Sequence, residues 1–122
     1  MQADGRALAL VDDDAAVRDS MRFLLEIAGY TLQDYASAAD FLAGCDLAML
    51  RGLILDHHMP AMTGLELAAH LREQGHRFPI LLITGSPSPA ILARAAELGI
   101  ERVLEKPPSE EELLGFVEHL AT

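Results

Sequence analysis

Short apolar segments recur along the chain, each bounded by turn residues. Three of them are apolar at almost every position, which is typical of strands buried on both faces of a parallel sheet. Two others carry polar residues at alternate positions, as edge strands do. The three apolar segments are Ala7–Val11, Gly52–Leu55 and Pro79–Ile83, and the two half-polar segments are Thr31–Tyr35 and Arg102–Glu105. The pattern predicts five β-strands.

Helical periodicity fills the intervals between these strands. Apolar residues at helical spacing from Val17 to Ala28 predict a first helix, with Gly29 as its C-terminal cap. A similar stripe from Leu65 to Leu71 predicts a helix that stops near Gly75. The other three helices begin at capping signals, namely Ser37, Ser88 followed by Pro89, and Ser109 with Glu112 three residues later.

Strands and helices therefore alternate in five β-α units. Such an alternation predicts a parallel sheet with right-handed crossovers and helices on both faces. Three buried strands flanked by two half-polar ones favour the flavodoxin-like strand order 2-1-3-4-5, in which strands 2 and 5 are the edges. We expect a doubly wound α/β fold with five helices, forming a single domain across residues 1–122.

Composition and charge narrow the function classes. The 122 residues, 51% of them hydrophobic, suffice for one domain with its own core. A net charge of -10 argues against direct binding to nucleic acid or to an anionic membrane. The chain begins without a signal-peptide pattern and has no apolar run near the roughly 20 residues that span a bilayer, so we expect a cytoplasmic location. Cys45 is the only cysteine, which excludes an internal disulfide.

Polar residues follow four of the predicted strands. In this kind of sheet, ligands bind outside the carboxyl ends of the strands, near the switch point between strands 1 and 3. Strand 1 runs into Asp12-Asp13-Asp14, strand 3 into Asp56, strand 4 into Thr84 and strand 5 into Lys106-Pro107. Carboxylates of this kind suit Mg²⁺, and a carboxylate can also attack phosphorus to give an aspartyl-phosphate. Lysine, hydroxyl and metal would then surround the phosphoryl oxygens.

Four motifs resemble the signatures of the CheY-like receiver domains of bacterial response regulators, in the family's order and spacing. They are Val11–Asp14, Leu55–Pro60 with Gly64, Ile83–Gly85 and Glu105–Pro107. The run from Asp56 to Glu66 resembles receivers of the FixJ type, which often precede helix-turn-helix output domains. The resemblance covers essentially the whole chain. It implies a phosphoacceptor of two-component signalling that is not an enzyme, apart from self-catalysed phosphotransfer and dephosphorylation.

The resemblance also implies a Mg²⁺ site. Asp12 and Asp13 match the family's metal-binding acidic pair, with Asp13 as a direct ligand and Asp12 acting through water. Asp56 completes the set as both ligand and phosphoacceptor. The residue at the position of His58 supplies its backbone carbonyl to the metal.

Two further residues match the groups that contact the phosphoryl oxygens in this family. Thr84 matches the switch hydroxyl, and Lys106 matches the lysine that pairs with the phosphoryl group. The resemblance implies a cis peptide bond between Lys106 and Pro107. The implied partners are a histidine kinase or histidine phosphotransfer protein and a downstream output protein or domain. Homodimer formation on phosphorylation stays open.

Plainer interpretations compete with these roles. The Asp12–Asp14 run could simply cap the first helix, a task that suits Asp14. Lys106 could be an ordinary solvated lysine and Thr84 an ordinary strand-end threonine. His57 and His58 could bind a transition metal, but adjacent histidines leaving a strand are expected to point apart.

Other functions remain possible on the same fold. Val103 stands where the family usually has Tyr or Phe, and two prolines stiffen the loop Gly85–Pro89. These departures keep open a phosphate sink or a binding module that works without phosphorylation. A haloacid-dehalogenase type of phosphatase would share the Asp-x-Asp spacing after strand 1, but the chain has no room for its cap insertion.

Overall fold

A computed structural model describes residues 7–100 and 102–120 of the chain. Its strands are β1 (Ala7–Val11), β2 (Thr31–Tyr35), β3 (Gly52–Asp56), β4 (Ile80–Thr84) and β5 (Arg102–Glu105). Its helices are α1 (Ala15–Ile27), α2 (Ala38–Gly44), α3 (Gly64–Glu73), α4 (Pro89–Glu97) and α5 (Glu110–Leu120), with a short 3₁₀ turn at Leu47–Met49. The strands form one parallel sheet in the order β2-β1-β3-β4-β5. The predicted fold class and strand order are confirmed.

The core lies in two layers because successive strand residues point to opposite faces of the sheet. One face packs against α1 and α5, around buried residues such as Leu10, Leu25 and Phe116. The other face packs against α2, α3 and part of α4, around Phe41 and Leu71. The three central strands, β1, β3 and β4, are buried almost throughout, whereas β5 has no fully buried residue. This burial pattern explains why the central strands are almost wholly apolar.

Two strands differ from their predicted bounds at the end where the polar residues lie. β3 extends one residue further to include Asp56, and β4 is shifted by one residue so that it ends at Thr84. Asp56 is in register with Ile83, and the amide of His57 donates to the carbonyl of Ile83 at 2.9 Å. The amide of Lys106 donates to the carbonyl of Thr84, also at 2.9 Å. The backbone ladder therefore continues beneath these polar side chains and fixes their positions.

The helix ends follow the sequence signals. Three serine hydroxyls, those of Ser37, Ser88 and Ser109, each accept a hydrogen bond from the first turn of the helix they precede. Gly29 follows the end of α1 with φ at +99°, a conformation that glycine adopts without strain. Ala28 is exposed at the cap instead of lying in the apolar stripe, so that part of the prediction is wrong. In α5, Leu113, Phe116 and Val117 are all buried, because the apolar face of a packed helix is wider than one row.

Candidate functional site

Three carboxylates meet at the carboxyl end of the sheet. Asp12 follows β1 and Asp56 ends β3, and these two strands are neighbours. One carboxylate oxygen from each of Asp12, Asp13 and Asp56 lies within 4.8 Å of the others. Asp12 and Asp56 are only 1% exposed, whereas Asp13 is exposed. Asp14 stands apart from this cluster, since its carboxylate caps α1 by accepting from the amides of Ala16 and Val17.

Lys106 supplies the cation of the site from the end of β5. Its Nζ lies 3.0 Å from Asp56 Oδ1 and 3.9 Å from Asp12 Oδ2. The Lys106-Pro107 peptide bond is cis, as the family resemblance implied. One ammonium faces three carboxylates, so two negative charges stay uncompensated when all four groups are ionised.

The Oδ2 atom of Asp56 has no hydrogen-bond partner within the described ranges. Among the buried side-chain nitrogen and oxygen atoms of the described residues, it is the only one without a partner. Asp56 Oδ1, by contrast, accepts from the His58 amide at 3.4 Å and pairs with Lys106. A buried carboxylate oxygen without a partner is costly, and a hard cation bound by oxygen ligands would remove that cost. The crowded carboxylates and the unpartnered oxygen therefore fit a divalent cation such as Mg²⁺.

The electrostatics of the cluster favour proton binding when no metal compensates the charge. Burial raises the pKa of Asp12 above its ordinary value of 3.8, and the charges of Asp56 and Asp13 act in the same direction. Burial alone would lower the pKa of Lys106, but its hydrogen bond to Asp56 and the surrounding carboxylates raise that pKa overall. The folded state thus binds a proton at Asp12 more readily than the unfolded chain does. Acidification from neutral pH toward 3.8 stabilises the fold through this group.

Thr84, the last residue of β4, contacts His58, which follows β3. Thr84 is fully buried, and its Oγ1 lies 2.9 Å from Nε2 of His58. The rings of His57 and His58 contact each other edge to face, with centroids 5.0 Å apart. The expectation that the two histidines point apart is therefore wrong. The chain turns directly after His57, whose carbonyl accepts from the amides of Met59 and Gly64, and this turn brings the rings together.

The turn between β3 and α3 is tightly packed against the end of β3. A Cβ atom on Gly64 would lie 2.7 Å from the Asp56 carbonyl oxygen and 2.9 Å from the Cα of His57. Ala61 in the same turn has φ at +71°, an uncommon conformation for a residue with a side chain. Thr63 and Glu66 form a capping box that starts α3. The position of Asp56 therefore depends on the backbone of this turn.

The contacts of Arg18 and Asp34 that hold the backbone at Asp12 were not predicted from the sequence. Arg18 of α1 donates through Nη1 to the carbonyl of Asp12 at 2.7 Å and through Nε to Asp34 of β2 at 3.0 Å. Arg22 also pairs with Asp34. The side chains of Arg18 and Asp34 are largely buried, so this pair orients the Asp12 backbone. No local motif signals it, because the two residues are 16 positions apart.

None of the helices in the described part of the chain is long and apolar enough to cross a lipid bilayer. Within those residues, the only group of three or more side chains that could hold a metal ion is Asp12, Asp13 and Asp56. The two histidines join no such group.

Known proteins resemble this chain in sequence. The transcriptional regulatory protein FixJ of Bradyrhizobium diazoefficiens is 35% identical over 109 residues, which cover 89% of this chain and 53% of FixJ. The response regulator protein TodT of Pseudomonas putida is 34% identical over 108 residues, covering 88% of this chain and 48% of TodT. The chain thus spans about half the length of these curated relatives.

Solved structures agree with the sequence relatives. The chemotaxis protein CheY4 of Vibrio cholerae superposes with a TM-score of 0.85 at 30% identity, covering 93% of this chain and 97% of CheY4. The crystal structure of FixJ-N superposes with a TM-score of 0.83 at 29% identity, covering 99% of this chain and 95% of FixJ-N. The family model of the response regulator receiver domain matches residues 8–118, which is nearly the whole chain. With the acidic cluster, the lysine and the buried threonine gathered at the end of a 2-1-3-4-5 sheet, the chain belongs to the receiver-domain family of two-component response regulators.

Proposed function

We propose that this receiver domain accepts a phosphoryl group on Asp56, with Mg²⁺ held by Asp12, Asp13, Asp56 and the backbone carbonyl of His58. The observation that carries the proposal is the buried, unpartnered Oδ2 of Asp56 inside a cluster of three carboxylates. Incubation with acetyl phosphate should add one phosphoryl group per chain in the presence of Mg²⁺ and none in its absence, as read by intact mass. A chain that stays unmodified with Mg²⁺ present would contradict the proposal.

The residues of the site have separate tasks in the transfer. Lys106 and the His58 amide hold Asp56 through Oδ1, which leaves the lone pairs of Oδ2 for bonding. An Asp56 oxygen bonds to phosphorus as the P–N bond of a phosphohistidine donor breaks, and the donor imidazole leaves with that electron pair. Bound Mg²⁺ would neutralise charge on the transferring group. The Lys106 ammonium and the Thr84 hydroxyl then pair with the phosphoryl oxygens.

The donor in this proposal is a histidine kinase or a histidine phosphotransfer protein. Phe23 and Ile27 of α1 are each 70% exposed, which is unusual for side chains of this size. An apolar groove of about 520 Å³ runs between α1 and the start of α5, and Lys106 forms part of its wall. An apolar surface beside the phosphoacceptor site supports docking of a helical donor. We place the domain in the cytoplasm, with an output protein or domain downstream and homodimerisation on phosphorylation as one route of output.

Mg²⁺ should raise the stability of the fold, because a bound cation relieves the repulsion among the carboxylates. At tenfold excess over its dissociation constant, linkage contributes about 1.4 kcal/mol. The variant Asp13→Asn should be more stable than the unaltered chain without metal and should lose the Mg²⁺ effect. The matched control is Asp14→Asn, since asparagine also caps a helix and Asp14 lies outside the cluster. Thermal unfolding with and without millimolar Mg²⁺ measures both effects, and equal melting temperatures in the unaltered chain would refute the metal site.

A second candidate function, a phosphate sink, is favoured by one observation. Val103 is half-buried against the core and cannot reproduce the inward turn of the aromatic ring that the family usually has there. If the domain relays a signal, the phosphoryl mimic beryllofluoride with Mg²⁺ should change hydrogen exchange across Gly85–Leu98, with little change around Val103. A ligand shifts a population only as far as it prefers one state. Exchange changes confined to the acidic cluster would favour the phosphate sink.

A further inference from the structure

The Thr84 hydroxyl is engaged by partners other than the proposed phosphoacceptor. Its Oγ1 accepts a hydrogen bond from the Ser86 amide at 3.2 Å and lies 2.9 Å from Nε2 of His58. Asp56, next to it in the site, keeps its Oδ2 without a partner among the described residues. The hydroxyl of Thr84 is therefore hydrogen-bonded to the imidazole of His58.

The direction of the bond to His58 follows from the hydrogens available. A threonine hydroxyl has one hydrogen to donate and two lone pairs to accept with. One lone pair takes the Ser86 amide. If His58 Nε2 donated as well, the hydroxyl hydrogen would have no acceptor at a fully buried position, which is costly. The hydroxyl of Thr84 is therefore assigned as the donor to Nε2 of His58, which requires the tautomer with its hydrogen on Nδ1.

We propose that His58 is a positioning residue that holds the Thr84 hydroxyl in the resting domain and competes with the phosphoryl group for its hydrogen. The inference rests on the proposed phosphorylation of Asp56. Phosphoryl oxygens on Asp56 are strong acceptors that need a donor. The Thr84 hydroxyl has one hydrogen, so it donates either to His58 or to the phosphoryl group. The bond to His58 must break before the bond to the phosphoryl group can form, and the cost of breaking it weakens phosphoryl binding.

The position of His58 suits this role. Its amide contacts Asp56 Oδ1 at 3.4 Å while its ring contacts Thr84, so one residue touches both the phosphoacceptor and the hydroxyl. His58 is exposed, so its ring can leave Thr84 for solvent without opening a cavity in the core. The competition thus requires only a side-chain movement.

If His58 competes for the Thr84 hydroxyl, removal of the His58 side chain should strengthen the binding of beryllofluoride. His58→Ala should bind beryllofluoride with Mg²⁺ about two- to tenfold more tightly, the range expected for release of one hydrogen bond. The same change in a Thr84→Val background should have no effect, because no hydroxyl remains to compete. His58→Gln, which can again accept from the hydroxyl, should return the affinity toward that of the unaltered chain. Amide chemical shifts report binding during titration, since the chain has no tryptophan. The affinities are measured for the unaltered chain, the two single variants His58→Ala and Thr84→Val, their double variant and His58→Gln.

A second readout tests the resting contact without any ligand. In the metal-free domain, His58→Ala should speed exchange of the Ser86 amide, because the freed hydroxyl no longer stays in place as its acceptor. That increase should vanish in the Thr84→Val background. An equal effect of His58→Ala in both backgrounds, or weaker beryllofluoride binding, overturns the competition while leaving phosphorylation of Asp56 intact. Failure of the unaltered chain to bind beryllofluoride or to be phosphorylated overturns both proposals.

Discussion

Replacement of Asp56 with asparagine should abolish phosphorylation by acetyl phosphate, while the unaltered chain gains one phosphoryl group in the presence of Mg²⁺. A neutral amide oxygen is a poor nucleophile toward phosphorus, and the amide also removes one negative charge from the metal cluster. Lys106, whose Nζ lies 3.0 Å from Asp56 Oδ1 and 3.9 Å from Asp12 Oδ2, would lose the nearer of these two charged partners. The expected loss is complete within the sensitivity of intact mass measurement.

The control for this experiment is another carboxylate that follows a strand at the same edge of the sheet. Asp14→Asn changes the charge by the same amount, but Asp14 caps α1 and lies outside the cluster. This variant should be phosphorylated like the unaltered chain. If Asp56→Asn instead carries the same mass shift, the phosphoryl group sits on another residue and the assignment of Asp56 is wrong.

The fold was predictable because the fraction of apolar residues in each strand reflects how deeply that strand is buried. β3 is buried at all five positions, so its residues must be apolar up to the point where the site begins. β5 is half-buried at two positions and exposed at the other two, and its sequence is correspondingly mixed. The predicted strand order was based on this difference between central and edge strands. The ends of β3 and β4 were placed one residue early because Asp56 and Thr84 are polar, although both belong to the backbone ladder.

The gathering of the polar side chains was also predictable from topology. The carboxyl ends of parallel strands meet at one edge of the sheet, so residues that follow different strands must approach each other there. Asp12, Asp56 and Lys106 do so, within hydrogen-bond or ion-pair distance. Their chemical roles are implied by family resemblance and stay proposals until phosphorylation is measured.

The contacts that orient these side chains were not predictable. The bonds from Arg18 to Asp12 and from Thr84 to His58 join residues whose relative position is set by helix and loop packing. The positive φ of Ala61 is likewise imposed by the turn, since alanine itself disfavours that conformation. These features depend on the exact backbone geometry of loops and helix ends, which a pattern of hydrophobic and polar residues does not specify.

Replacement of Gly64 with alanine should destabilise the fold by about 2–3 kcal/mol, the upper part of the range for overpacking a close contact. The added Cβ would lie 2.7 Å from the Asp56 carbonyl oxygen, 2.9 Å from the His57 Cα and 2.9 Å from Leu82 Cδ1. The first two neighbours are backbone atoms, which cannot move aside as the end of a flexible side chain can. Alanine favours a helix interior over glycine by about 1 kcal/mol, but Gly64 is the first residue of α3, so this preference offsets only a small part of the cost.

The effect of Gly64→Ala should reach the chemistry as well as the stability. Gly64 also donates from its amide to the His57 carbonyl at 3.0 Å, so a shift of the turn displaces the end of β3 that carries Asp56. Gly85→Ala is the matched control, because a Cβ there has nothing within 4 Å, and its stability should change by less than about 0.5 kcal/mol. Urea unfolding compares the two variants, and acetyl phosphate labelling follows on the folded proteins. If Gly64→Ala proves as stable as Gly85→Ala and is labelled equally fast, the turn yields to the extra methyl group and does not fix Asp56 in place.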